Sequence, residues 1–517
     1  MKSEHHAQAR IIAPTVLGGI ALVWLASGCG SSAADAGTVG DGSEGLQGGT
    51  GSAAQELRSA SAGWRRHRGH HGGRHQGGGS NGGGPVVPLC DAGDQDQLFQ
   101  LVDADLSRLD SDDLPFVRYL SLANRAGVLG CGAGLDGERA AIDKLINSVS
   151  IDARATPLVP VDANLTLYRL DLRDYAWDRP IVVGATRFTD AWEALIAGNP
   201  YALPYVGDDA DDAVADTGTT VPVLFGSAFV AAAARAPLYY SLLDIPADAD
   251  DFLSDELGID VGSGESARAG FTAAAQGGDA NFLAQRFDIQ VRSGVAWQIS
   301  EFGDLFDDPL GDADGEREIA FTLPNGLLGH ILADADGRVK ATSGVLVDGF
   351  ESDSRARIAT SFFRSRANGV ELEDEVRAFA AANPGNFSAA ELAAIRAAYP
   401  RQAALQQLLA ADRSFPSSAL ERIGLDIAST PEPVSQSFAD FDADVDLATA
   451  ADDLLISAEE LRQDLDLLDP VFSVLGGGGK LDRDDFNALY ANAACILTVV
   501  LDNQVDPAFC DAVAALP

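Results

Sequence analysis

The chain is poor in the residues that most often bind metals or act as nucleophiles and bases. Its 517 residues contain seven histidines, five cysteines and one methionine, Met1. Beyond residue 88 the only histidine is His330, so a Ser-His-Asp or Cys-His arrangement there would have to use it. No Cys-x-x-Cys spacing occurs, which leaves a thioredoxin-like redox pair and a zinc ribbon without support.

Only one long uncharged apolar run is present, and it lies near the start. It covers residues 11–26 behind Lys2 and Arg10, and a run of about 16 residues suits a secretory signal better than a membrane span. The run leads into Leu25-Ala26-Ser27-Gly28-Cys29, which resembles the cleavage site of bacterial lipoproteins. We therefore predict a signal peptide over residues 1–28 and a lipid on Cys29, which would anchor the protein stably to a membrane.

The alternatives for this segment are an ordinary signal peptide cleaved nearby and an uncleaved anchor. The residue after Cys29 is Gly30, whereas retention in the inner membrane is associated with aspartate at this position. The expected location is therefore the cell envelope, at the outer membrane.

Residues 29–88 have the composition of a flexible tether. Residues 30–88 hold 18 of the 54 glycines and almost no large apolar side chains, so this stretch cannot bury enough surface to fold. Four closely spaced histidines within it are weak candidates for a loose metal site: His67, His70, His71 and His75. The same basic cluster could instead touch anionic lipid or the acidic body, and a solvated basic tether is the favoured interpretation.

Acidic residues dominate the rest of the chain. The formal net charge is −41, from 36 Lys and Arg against 77 Asp and Glu. Residues 1–88 contain seven basic and five acidic residues, so the remaining 29 basic and 72 acidic residues give residues 89–517 a net charge of −43. Such a body repels phosphate backbones, and nucleic-acid binding is not expected.

Four cysteines remain once Cys29 is assigned to the lipid: Cys90, Cys131, Cys495 and Cys510. An even number in an exported protein predicts disulfides. Proximity in the sequence favours Cys90–Cys131 and Cys495–Cys510, although three pairings are open and four free thiols are the alternative.

Hydrophobic periodicity predicts an α+β fold with two domains behind the disordered tether. Helical spacing marks residues 95–145, and strand patterns cover residues 165–172, 297–299, 318–323 and 329–332. The aspartate-rich sequences 312–315 and 334–337 lack the EF-hand pattern and are interpreted as hairpin turns. Apolar stripes then predict helices over residues 372–382, 388–398, 402–412 and 450–468, with capping boxes at Ser388 and Ser457. The predicted units are a mixed helix–sheet domain over residues 89–350 and a helical domain over residues 351–517.

Seven short segments of the chain follow one another in the order found in a known family: residues 118–122, 144–150, 168–175, 199–201, 236–243, 267–271 and 323–327. Together they resemble a family of large exported bacterial proteins that carry c-type cytochrome domains. The resemblance runs from about residue 114 to about residue 490.

In that family a segment after the Leu-Pro-Asn-Gly hairpin reads Ser-Cys-x-x-Cys-His, whose cysteines bond to haem and whose histidine binds the iron. The matching segment here is residues 360–367, and residues 374–377 resemble the family pattern in the same register. Phe362 and Ser365 stand at the two cysteine positions and Arg366 at the histidine position. The resemblance, with these changes, predicts a degenerate haem site and no bound cofactor.

We therefore expect a membrane-anchored envelope lipoprotein with a non-catalytic binding or scaffold role, and an unidentified envelope protein as its partner. Phe362, Phe363, Arg364 and Arg366 would fill or cover the former haem region. One alternative is an electron-transfer or oxidoreductase role inherited from the family. A second is a carboxylate-based envelope hydrolase, for which no pair among the 77 acidic residues stands out. A filled core around Phe362 would support the scaffold, and an open polar pocket there would support ligand binding.

Overall fold

The structure, a computed structural model, describes residues 95–204, 210–261, 264–272, 280–313, 315–347, 355–365, 369–426 and 432–497. The predicted signal peptide, Cys29, the tether with its four histidines, and Cys90 lie outside the described residues, as do Arg366 and Cys510. Cys131 and Cys495 each take part in a disulfide bond. The pairing of the four cysteines stays a prediction.

The fold is α+β, as predicted from the sequence. The helices are α1 (Gln95–Leu106), α2 (Ala123–Leu129), α3 (Asp136–Ser148), α4 (Ala191–Ile196), α5 (Ala210–Thr217), α6 (Gly226–Ala233), α7 (Leu238–Leu242), α8 (Ala249–Asp251), α9 (Thr360–Ser365), α10 (Val376–Ala382), α11 (Ala389–Ala398), α12 (Gln402–Arg422), α13 (Pro433–Asp442), α14 (Leu447–Asp453), α15 (Ala458–Asp464), α16 (Ser473–Gly476) and α17 (Arg483–Cys495).

The strands form two larger sheets and two short ribbons. They are β1 (Val117–Ser121), β2 (Val159–Pro160), β3 (Leu167–Asp171), β4 (Ile181–Val183), β5 (Thr186–Phe188), β6 (Ala202–Leu203), β7 (Val223–Phe225), β8 (Glu265–Thr272), β9 (Asn281–Asp288), β10 (Val295–Glu301), β11 (Arg317–Thr322), β12 (Leu328–Ala333), β13 (Val339–Lys340), β14 (Thr342–Val347) and β15 (Arg355–Arg357). The first sheet has the order β2-β3-β1-β7-β6, and the second is the antiparallel meander β8 to β13. The ribbons pair β4 with β5 and β14 with β15.

The helical prediction over residues 95–145 is wrong at β1. All five residues of this strand are buried, because it pairs antiparallel with β3 on one side and parallel with β7 on the other. A strand buried on both faces loses the polar–apolar alternation that distinguishes it from a helix. The prediction is confirmed for α1 and α3.

The predicted strands at β3, β10, β11 and β12 are confirmed, and so is the turn over residues 334–337. Asp334 Oδ1 accepts hydrogen bonds from the backbone N–H groups of Asp336 (3.0 Å) and Arg338 (2.9 Å). Gly337 has a φ of +87°, which favours glycine. The aspartate therefore organises the hairpin between β12 and β13.

The helices predicted after residue 372 are also present, with three differences in extent, the first of which is that α10 begins at Val376 and not at residue 372. Capping boxes form at Ser388 with Glu391 and at Ser457 with Glu460. The apolar stripe over residues 450–468 is divided between α14 and α15 next to Leu455, whose φ is 56°. Helix α12 continues past residue 412, through Pro416, to Arg422. Within the described ranges, no helix is long and apolar enough to span a membrane.

The described residues of both predicted domains belong to one compact unit. Helix α13 packs against α3 and α6, and α14 packs against α2. Gly226 permits the close approach of α6 to α3, because a Cβ at this position would lie 2.3 Å from Cδ1 of Ile142. The C-terminal helices thus complete a core that the N-terminal sheet and helices begin.

Candidate functional site

Two phenylalanines of the segment that the sequence resemblance matches to a haem-attachment motif lie in a buried cluster of aromatic rings. Phe362 and Phe363 on α9 are each 3% exposed, and His330 on β12 is 2% exposed. The His330 ring stacks on Phe362, with centroids 5.4 Å apart and planes at 18°. It meets Phe363 edge-on at 6.2 Å and 75°. We call these three rings the aromatic core.

A buried ion pair closes the aromatic core on the side of α3 and α13. The Lys144 Nζ lies 5.5 Å from the centroid of the Phe363 ring and 2.9 Å from Oε1 of Glu432. Glu432 in turn caps α13, because its carboxylate accepts from the backbone N–H groups of Val434 and Ser435. The cation is thus held by both a carboxylate and an aromatic face, which compensates for part of its desolvation.

Two tyrosines fix the strand that carries His330. The Tyr239 hydroxyl accepts from the backbone N–H of His330 (3.0 Å). The Tyr240 hydroxyl accepts from the N–H of Leu332 (3.1 Å) and donates to the carbonyl of Lys340 (2.6 Å). Burial raises the pKa of both phenols far above the usual value. This environment gives His330 a packing role, since its ring has almost no exposed surface to offer a substrate.

Two of the three residues at the predicted haem-motif positions lie in α9. Phe362 fills the aromatic core, and Ser365 is the last residue of α9. Arg366 lies outside the described residues.

A separate cavity of about 340 Å³ opens between α4, α6, α13 and α17. Small apolar residues form much of its lining: Ala194, Ala228, Ala231 and Ala232. Phe441 contributes an aromatic wall, and the polar groups are Asn199, Tyr201, Arg235 and Asn487. We call this cavity the alanine pocket.

A buried network of charged and polar side chains connects to two residues that line the alanine pocket, Tyr201 and Asn487. Arg483 Nη1 donates to Oδ2 of Asp453 (2.8 Å) and to the Tyr201 hydroxyl (3.0 Å). The Asn124 amide donates to Oδ1 of Asp453 at 2.9 Å, and the Tyr201 hydroxyl donates to Oδ1 of Asn487 at 2.6 Å. Burial raises the pKa of Asp453, and the contacts with Arg483 and Asn124 lower it.

A second cavity, of about 550 Å³, is lined by Asp250, Asp251, Asp260 and Arg317 among others. Arg317 holds Asp250 by two hydrogen bonds, of 2.7 Å and 3.0 Å. We call it the aspartate cleft. Asp251 and Asp260 are exposed, so the cleft presents carboxylates to solvent.

Two carboxyl groups with a raised pKa lie outside both cavities. Burial raises the pKa of Asp143 to about 6, and burial next to Asp453 does the same for Asp452. Neither residue lines the alanine pocket or the aspartate cleft. A glycosidase needs a carboxylic acid with a raised pKa inside its substrate cleft, and Asp143 and Asp452 do not meet this requirement in either of these two cavities. In the described part of the chain no group of three His, Cys, Asp or Glu residues could hold a metal ion.

Comparison with known proteins gives no match to a family model, to a curated protein or to a solved structure. The site must therefore be judged on its own geometry. Sequence reasoning selected Phe362 and the segment 199–201, but it missed Asp453, Arg483 and Asn487. The available signal was weak: Asp453 follows Asp452, and Arg483 lies among Asp482, Asp484 and Asp485, so neither stands out from the many charges around it.

Proposed function

We propose that the chain is a membrane-anchored envelope lipoprotein, a haem-less relative of the c-type cytochrome domain proteins, with a non-catalytic binding or scaffold role. The observation that carries this proposal is the aromatic core. Phe362 stands at the position of the first haem-bonding cysteine in the resemblance, and it packs face to face on His330. Side chains supply the apolar volume that a porphyrin edge would otherwise supply.

The elements around the aromatic core come from distant parts of the chain. Lys144 belongs to α3, His330 to β12, Phe363 to α9 and Glu432 to the cap of α13. Filling this junction with side chains keeps the four elements joined without a cofactor. A rigid body of this kind suits a protein that presents a surface to a partner.

The partner proposed is an envelope protein with a complementary basic surface. The body carries a net charge of −43, and a field of this sign accelerates encounter with a cationic surface and disfavours an anionic one. Such a complex is expected to weaken as the salt concentration rises.

The test combines spectroscopy with reciprocal capture. Full-length protein, produced with an intact c-type cytochrome maturation system and purified in detergent, is expected to show no Soret band and no covalent haem in a pyridine haemochrome assay. Tagged protein is expected to recover one envelope partner in fixed stoichiometry, and the tagged partner should recover this chain. Release of the partner between 0.05 and 0.5 M NaCl would agree with the charge argument.

A Phe362→Ala variant tests the role of the aromatic core itself. Removing a buried phenylalanine is expected to cost about 3–5 kcal/mol of unfolding free energy, measured by urea denaturation, whereas Phe362→Leu should cost clearly less because it retains most of the volume. A Soret band in the wild-type protein, or a Phe362→Ala variant as stable as wild type, would overturn the proposal.

A further inference from the structure

We propose that the alanine pocket binds a small organic carboxylate with a short apolar body. This inference does not depend on the scaffold role, because the pocket and the aromatic core are formed by different residues. It follows from the fixed direction of the hydrogen bonds behind the pocket, the charges at its rim and its size.

The direction of the hydrogen bonds is set by Arg483. A guanidinium has donors and no acceptor, so the Tyr201 oxygen must accept from Arg483 Nη1. The hydroxyl proton of Tyr201 then points to Oδ1 of Asn487. This fixes Oδ1 of Asn487 as an acceptor and leaves its NH₂ group, which has no acceptor among the described residues, as the donor that this pocket-lining side chain can offer to a ligand.

The neighbouring acceptor in the pocket is already occupied. Asn199 Oδ1 accepts from the backbone N–H of Tyr201 at 3.1 Å. One of the two hydrogen bonds that this oxygen can accept is thus already made, and the polar end of the pocket favours a ligand that brings an acceptor to the Asn487 donor.

The charge at the edge of the pocket also favours a ligand with a negatively charged acceptor. Arg235 lines the pocket, and its guanidinium lies 4.6 Å from the ring centroid of Phe438. No Asp or Glu is part of the lining, although the body is strongly acidic. Asp442 contacts Arg235 at Nη2 (2.6 Å) from outside the pocket, which reduces the positive field without removing the other donors of the guanidinium.

The size and lining limit the rest of the ligand. A volume of about 340 Å³ lies at the small end of the range for ligand pockets. The alanines leave room that larger side chains would occupy, and Phe441 offers a flat apolar wall. An aryl or short branched acyl group fits this space, with its carboxylate at Asn487 and Arg235.

Calorimetric titration of the full-length protein in detergent tests the assignment with three probes of similar shape: phenylacetate, benzyl alcohol and benzylamine. Phenylacetate is expected to bind at least tenfold more tightly than benzylamine, with benzyl alcohol between them. Asn487→Asp keeps an acceptor for Tyr201 but replaces the donor with a negative charge, so it should weaken phenylacetate binding at least tenfold. Arg235→Gln should weaken it several-fold.

Two further variants make the result decisive. Arg338→Gln removes an equally charged but more exposed residue that does not line the pocket, and it should leave phenylacetate binding unchanged. Ala232→Leu places a larger side chain in the pocket and should abolish binding even if Asn487→Asp proves poorly folded by circular dichroism. No heat of binding with 10 mM phenylacetate, equal binding of benzylamine, or full binding by Ala232→Leu would overturn the proposal.

Discussion

Asp452 shows how a single half-buried carboxyl group can contribute to the pH response of this protein. It neighbours Asp453 on α14, and its Oδ2 is buried without a hydrogen-bond partner among the described residues. Burial and the charge of Asp453 raise its pKa to about 6 from the ordinary value of 3.8. The folded chain therefore holds this proton more tightly than the unfolded chain does, and stability from this group falls as the pH rises from about 4 to above 6.

We expect Asp452→Asn to raise the free energy of unfolding at pH 8 and to leave it nearly unchanged at pH 4. The gain at pH 8 should be about 1–2 kcal/mol, because partial exposure reduces the full effect of the pKa shift. Urea denaturation at the two pH values measures it. The control is Asp444→Asn, an exposed aspartate nearby; an equal gain in that variant, or an equal gain at pH 4 for Asp452→Asn, would contradict the argument.

Residues such as Asp452 and Arg483 could not be selected from the sequence. Their surroundings are formed by residues that are distant along the chain: Gly127 packs against Asp452, and Arg483 donates a hydrogen bond to the Tyr201 hydroxyl. Gly127 on α2 lies so close to Asp452 that a Cβ there would be 2.1 Å from Oδ1. With 77 acidic residues of similar local context, only the tertiary structure separates these from the solvated majority.

At the scale of elements, one carboxylate of helix α12 joins it to two strands of the meander sheet. Asp412 accepts from Arg286 at Nε (2.9 Å) and Nη2 (2.8 Å) and from Trp297 Nε1 (3.0 Å). Arg286 belongs to β9 and Trp297 to β10, and both are buried. Three donors from two adjacent strands thus meet at a single residue of the helix.

Asp412→Ala is expected to lower the free energy of unfolding by about 3–5 kcal/mol, because it leaves the Arg286 guanidinium buried without its main partner. Hydrogen exchange should show the largest loss of protection in β9, β10 and α12. Glu421→Ala, at an exposed position of the same helix, should change stability by less than about 0.5 kcal/mol. Similar stability of the two variants would show that packing alone holds α12.

Elements with local signals were predicted well, and elements defined by distant partners were not. The capping boxes at Ser388 and Ser457 depend on residues three positions apart, so the sequence states them directly. Strands β1, β8 and β9 went unrecognised: all of β1 and the central residues of β8 and β9 are buried, and β8 contains Gly270, where a Cβ would lie 2.4 Å from Val376. The glycine marks a close approach of α10 that no local pattern reveals.

At the scale of the whole molecule, the proposed anchor and the acidic body act together. A lipid on Cys29 would confine the protein to a membrane, and the glycine-rich residues 29–88 would let the body reach partners near that surface. The body's charge would at the same time hold it away from anionic headgroups. The predicted location therefore depends on one cysteine.

We expect Cys29→Ser to move the protein from the membrane fraction to the released fraction, since in the proposed anchor this one residue would carry the lipid and with it the retention at the membrane. Cell fractionation with immunoblotting measures the shift, and mass spectrometry of the wild-type N-terminal peptide should show an acylated cysteine. Gly30→Asp, a matched control, should keep the lipid while favouring the inner membrane. Membrane retention of Cys29→Ser at wild-type levels would contradict the anchor.

Proteins confined to a membrane meet one another at high local concentration, and exposed strand edges then invite aggregation. Strand β12 pairs with β13 at only two positions, Leu332 and Ala333. The hydroxyls of Tyr239 and Tyr240 occupy the amides of His330 and Leu332 on this strand. Another chain would have to displace these two phenols before adding a strand here, so the contacts that hold the strand of His330 would also oppose pairing between strand edges of a protein confined to a membrane as proposed.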